Sequence, residues 1–113
     1  MPKLLTIYLK KIEREKEKKR LELLEKTFKT LNLLSREIYF KQAYIFGSIL
    51  KKKKFYYDSD IDIAVCGLKD EDFFHFMSRS ADMLGRDVDI IQMERHRLKD
   101  KILKEGLLWK RQN

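Results

Sequence analysis

Between Pro2, the only proline, and Gly47, the first glycine, nothing in the chain breaks a helix. Leucine, lysine and glutamate dominate that stretch, and residues 4–38 are expected to form one long helix. Leu21, Leu24, Phe28, Leu31, Leu34 and Ile38 keep a three-to-four spacing that marks one helical face. "EREKEKKR", residues 13–20, carries no apolar side chain. It reads either as a solvent-bridging helix braced by pairs such as Glu15–Lys19, or as a joint between two helices. Upstream, "LLTIYLKKI" sets Leu4, Leu5, Tyr8 and Ile12 at helical spacing ahead of that charged run. A helix of this length spans about 50 Å at 1.5 Å per residue, so its first third is expected to overhang a small domain. An overhanging apolar stripe marks an interface, with a second copy of the chain or with a helical partner.

Beyond the helix the chain alternates between short apolar runs and breakers. "QAYIF", residues 42–46, reads as a buried strand stopped by Gly47-Ser48. "SDIDIAV", residues 59–65, is a second strand, alternating and then continuously apolar. Residues 70–84 open with acids suited to a helix N-terminus and are expected to bury Phe73, Phe74, Met77, Ala81 and Leu84, with Gly85 as the stop. His75 beside that face reads as an ordinary surface or core histidine. "DVDII", residues 87–91, is a third strand, and residues 95–104 a closing helix that leads to Gly106 and the apolar "LLW". This order gives an α/β or α+β domain, a small mixed sheet with helices packed on it. A single domain over residues 1–113 is expected, with a helical extension to about residue 40 and a core from 41 to 113.

Composition limits the chemistry. The single Cys66 excludes an internal disulfide framework and a cysteine-rich zinc site, and it reads as a small residue at the end of an apolar strand. No apolar run approaches the ~20 residues of a membrane span, and no signal-peptide pattern is present, so a cytoplasmic protein is expected. Charged residues make up 39% of the chain, with lysine and glutamate in excess, a bias shared with proteins from hot environments. The net charge of +8 is uneven: residues 58–94 hold ten acidic side chains against three basic, inside a basic frame. That contrast suits a metal–phosphate site flanked by phosphate-attracting surface, or else a surface that is simply rich in lysine.

The acids carry the sharper signal. Asp60 and Asp62 alternate with Ile61 and Ile63, which puts both carboxylates on one strand face. Two negative charges that close ask for a cation, and Mg²⁺ is the natural one for carboxylate oxygens. Asp89 adds a third acid on the third strand, with Asp87 on the same face as the runner-up. Gly47 allows backbone to approach a ligand, and the Ser48 hydroxyl with nearby N–H groups can hold phosphate oxygens.

Gly-Ser after a strand, a lysine-rich loop, Asp-x-Asp, and an apolar-framed Asp some 25 residues later together resemble the minimal nucleotidyltransferase (MNT) family of the DNA-polymerase-beta-like superfamily. "IFGS", "SDIDIAV" and "LKDKILKEGLLW" are similar to that family's Gly-Ser opening, aspartate strand and closing helix, so the likeness covers about residues 42–109. "ILKKKK" stands where the family commonly has an Ala-Arg-Gly-like run. The resemblance implies a nucleotidyltransferase fold and transfer of a nucleoside monophosphate, AMP from ATP, to a hydroxyl. By the same resemblance Gly47 and Ser48 contact the phosphates; Lys51 to Lys54, with Lys51 and Lys52 the nucleotide-binding candidates, either replace the arginine as phosphate contacts or are simply solvated. Asp60, Asp62 and Asp89 bind two Mg²⁺ ions, Asp89 also assisting the attacking hydroxyl. Members of this size act as antitoxins beside helical HEPN-type toxins and modify a toxin tyrosine, so such a toxin is the expected partner. Two other readings compete: a catalytically weak module that sequesters a partner, and a basic nucleic-acid binder. The three acids speak against the first, and the lack of a recognition motif against the second.

Overall fold

The computed structural model describes residues 2–55 and 58–111. Residues 3–37 form a single unbroken helix, α1 (Lys3–Glu37), so the charged run at 13–20 is helix and not a joint. It begins after Pro2 and ends where Ile38 turns extended, its N–H still bonded to the Leu34 carbonyl. The face that reaches the core is Thr27, Thr30, Leu31 and Leu34, with Leu23, Leu24 and Phe28 packed beside it. Leu21, expected on that face, is exposed instead. Two threonines were hidden from a count of apolar types. Thr27 can be buried because its hydroxyl donates to the Leu23 carbonyl one turn back, at 2.8 Å.

The sheet has four strands, one more than the sequence suggests. β1 (Gln42–Phe46) pairs antiparallel with β2 (Ile61–Cys66) and with β4 (Leu107–Lys110), and β3 (Val88–Gln92) runs parallel to β2. The spatial order is β3-β2-β1-β4. The parallel pair needs a crossover, supplied by α2 (Phe73–Leu84) after a 3₁₀ turn at Asp70–Asp72. The apolar "LLW" becomes β4 because Trp109 is drawn into the core, its ring 4.9 Å from Phe40 and its indole N–H donating to Asn32 Oδ1 at 2.7 Å. Arg111 then fixes the chain end, donating to the carbonyls of Ser35 and Phe40.

The two faces of the sheet are covered unequally. α1 and α2 lie over Ile45, Ile61, Ile63, Val65, Val88 and Ile90, the main core. On α2 the buried residues are Phe76, Ser80 and Leu84, and Phe73, Met77 and Ala81 pack against the core as expected, whereas Phe74, expected among them, points to solvent at 74% exposure. Phe76 meets Phe40 edge to face at 5.1 Å. A bidentate pair, Arg79 to Glu37 at 2.9 and 3.0 Å, ties α2 to the end of α1. The opposite face carries only α3 (Lys99–Glu105), shorter than expected and preceded by a 3₁₀ turn at Met93–Arg95. There Ile102 and Met93 pack on Tyr44 and Ala64. The molecule measures 57 × 27 × 25 Å, elongated along α1. Among the described residues no helix is long and apolar enough to cross a membrane.

Candidate active site

The half-covered face of the sheet is where the acids stand. Asp62 lies in β2 directly across from Phe46 in β1 and beside Asp89 in β3. Strand alternation aims Ile61, Ile63 and Val65 into the core, so Asp62 must face the other way, where α3 does not reach the β2–β3 edge. Asp60 sits just ahead of β2 and not within it. The three carboxylates nevertheless act on one another. Burial first, then repulsion from Asp89 and then from Asp60, pushes the Asp62 carboxyl up to about 6. Asp89 and Asp60 are themselves exposed. Asp87, the alternative third acid, precedes β3, where its carbonyl accepts from the Ile61 N–H at 3.2 Å.

The Gly-Ser turn closes one side of this cluster. Gly47 has φ +83°, a left-handed conformation, and opens a 3₁₀ turn that runs to Leu50. A Cβ on Gly47 would stand 2.2 Å from Asp62 Oδ2, so only glycine permits this backbone to lie against the carboxylate. The turn is anchored from beneath: Ile49 is fully buried, and Arg20 of α1 donates to the Ile49 carbonyl at 2.6 Å while also pairing with Glu17. Ser48, half-buried, is carried on the turn between Gly47 and that anchor. No local pattern points to Arg20, because its partner lies 29 residues away along the chain.

The lysine loop divides. Lys51 lines a cavity of about 500 Å³ that Phe46 and Gly47 share with α3. Lys52 instead lies on the α1 side, in a groove with Glu13, Glu17 and Arg20. There the Arg20 guanidinium bonded to Glu17, with Lys52 nearby, holds the Glu17 carboxyl below its usual range. The structure therefore brings together Gly47, Ser48, Lys51, Asp60, Asp62 and Asp89, and leaves Lys52 apart. Lys101 and Glu105 of α3, which no motif singles out, line the same cavity as Lys51.

Carboxylate oxygens are hard donors suited to Mg²⁺, and a divalent cation would offset the repulsion that raises Asp62. The residues present fit such an ion in chemistry. In arrangement they stand open: among the described residues no three His, Cys, Asp or Glu side chains are drawn into ligating positions.

No curated protein sequence matches the chain. The sequence profile of the family described as Polymerase beta, Nucleotidyltransferase matches residues 28–113, from the core-facing part of α1 through β4. The matched region contains the Gly47 turn, the three carboxylates and every strand of the sheet. The chain belongs to the polymerase-beta nucleotidyltransferase family.

Proposed function

We propose that this nucleotidyltransferase moves a nucleoside monophosphate, AMP from ATP, onto a hydroxyl acceptor with the help of two Mg²⁺ ions. The observation that carries the reading is the contact between the Gly47 turn and Asp62, where the missing Cβ leaves backbone against a carboxylate oxygen. A phosphate-binding turn and a metal-binding acid must meet in this way if one triphosphate is to touch both.

In this reading Asp60, Asp62 and Asp89 would hold the metals, whose charge would offset that of the triphosphate. The Gly47–Leu50 turn offers backbone N–H groups and the Ser48 hydroxyl to the phosphates, and Lys51 adds a positive charge. Asp89, exposed at the open edge, accepts the acceptor's hydroxyl proton as the new P–O bond forms and the α–β bond breaks, releasing pyrophosphate. The acceptor is proposed to be a tyrosine of a helical HEPN-type toxin, the pair forming a toxin–antitoxin system. Leu4, Leu5 and Tyr8, exposed on the overhanging part of α1, are proposed to dock that partner or a second copy of the chain.

The test is incubation of the purified protein with α-labelled ATP, Mg²⁺ and candidate acceptor proteins. Label should appear on the acceptor and disappear when EDTA is added or when Asp62→Asn replaces the wild type. A labelled acceptor in the Asp62→Asn reaction, at the wild-type rate, would sink the mechanism.

A further inference from the structure

The cavity beside Gly47 has a second wall that the proposed metal site does not account for. Its lining residues there are Leu98, just ahead of α3, and Lys101, Ile102 and Glu105 on α3, a spacing of three, four and seven that is one face of a helix. Lys101 and Glu105 are exposed on either side of the buried Ile102. Ile102 does pack, at 2% exposure, against Tyr44 and Ala64. Lys101 and Glu105 in the same stripe face a space of about 500 Å³, within the usual size range of small-ligand sites.

Sheet order fixes how this space relates to the acids. Asp89, Asp62 and Phe46 lie side by side on β3, β2 and β1, and neighbouring strands are about 4.8 Å apart. The cavity begins at Phe46 and Gly47, one strand beyond Asp62, and extends under α3. A nucleotide held by the carboxylates and the Gly47 turn would border this space. Gly106 keeps the far wall in place: its N–H bonds the Ile102 carbonyl at 2.7 Å, and any Cβ would meet that oxygen at 2.6 Å. Glu105, the residue before it, lines the cavity at the end of α3.

We propose that α3 forms the nucleoside end of the nucleotide site, with Lys101 facing the phosphates opposite Lys51 and Glu105 accepting from donor groups on the nucleoside. This rests on the nucleotidyltransferase reading and adds to it which chain atoms select the substrate. Lysine offers donors and a point charge, and an ionised glutamate only accepts. The preferred ligand is therefore a nucleoside triphosphate that presents O–H or N–H donors, from the ribose hydroxyls or from an exocyclic amine on the base. Phe46, Leu50 and Leu98 supply the apolar surface on which a base can lie.

Calorimetry on the full-length protein with Mg²⁺ tests this, using ATP and inorganic tripolyphosphate as probes. Lys101→Gln should weaken both about tenfold, the loss of one charge-assisted contact. Glu105→Gln should weaken ATP by a similar factor and leave tripolyphosphate unchanged. Lys104→Gln, on the same helix but off the cavity, should alter neither. Deoxy-ATP and purine riboside triphosphate then separate the two donor sources: the analogue that the wild type and Glu105→Gln bind equally lacks the group Glu105 holds. If the wild type binds ATP and both cavity variants bind it as tightly, the assignment of α3 is overturned and the metal-site reading stands. A wild-type protein with no affinity for any nucleoside triphosphate overturns the functional reading itself.

Discussion

At Gly47 two requirements fall on one residue: a left-handed backbone and a clear path to Asp62 Oδ2. Gly47→Ala violates both. Strain in the left-handed region alone costs about 1–2 kcal/mol, so urea denaturation should show a loss of at least that size. ATP affinity should fall as well, since relief of the clash must move either the turn or the carboxylate. Asp62 gives the second residue-scale prediction. Its folded pKa, about 6, lies above the ordinary 3.8, so the folded state binds this proton more tightly than the unfolded chain. The stability so gained is complete below the ordinary value and is lost as pH rises through about 6. Metal-free wild type should therefore melt below Asp62→Asn at about pH 8, and the two curves should converge near pH 4. Mg²⁺ should raise the wild-type melting temperature more than that of the variant. The acids were legible because alternation is local: Ile61 and Ile63 buried leaves Asp62 only one direction to face. Lys101 and Glu105 were not, because a helix face acquires meaning only from what stands opposite it.

Among the elements, β4 and α2 show where reading a sequence reaches its limit. "LLWK" is four residues after a glycine, too short for periodicity, and it becomes a strand only because β1 offers an unpaired edge and the core accepts Trp109. That information lies some 65 residues upstream, in the register that sets Ala43 against Trp109. In α2 the run Phe73, Phe74, His75, Phe76 offers three aromatics over barely one turn, and type alone cannot say which points inward. The core decides by taking Phe76 against Phe40, in the link between α1 and β1. Phe76→Ala should accordingly cost about 3–5 kcal/mol in chemical denaturation, whereas Phe74→Ala should stay within about 0.5 kcal/mol. Equal losses at the two positions would mean that α2 is rotated from the orientation described.

On the scale of the whole molecule, the helix is longer than the body that it packs on. The three principal extents, 57, 27 and 25 Å, show that α1 alone sets the long dimension. Its core-facing part ends near Arg20, and most apolar side chains before that point, Leu4 at 82% exposure among them, are exposed. Deletion of residues 1–19 retains Arg20 and should leave a cooperatively folded protein that still binds Mg²⁺. Light scattering should then show loss of self-association or of partner binding. If the full-length and truncated chains are both monomeric and hold the partner equally, the overhang has no docking role. α1 is also fastened by Glu37 to Arg79, by Asn32 to Trp109, by the Ser35 carbonyl to Arg111 and, nearest the overhang, by Arg20 to the Ile49 carbonyl, and this last fastening bears on the turn that carries Ser48. Mechanically α1 is a lever with its fulcrum at the Gly47–Leu50 turn: a load applied to the free arm would bear on that turn through the Arg20 hydrogen bond.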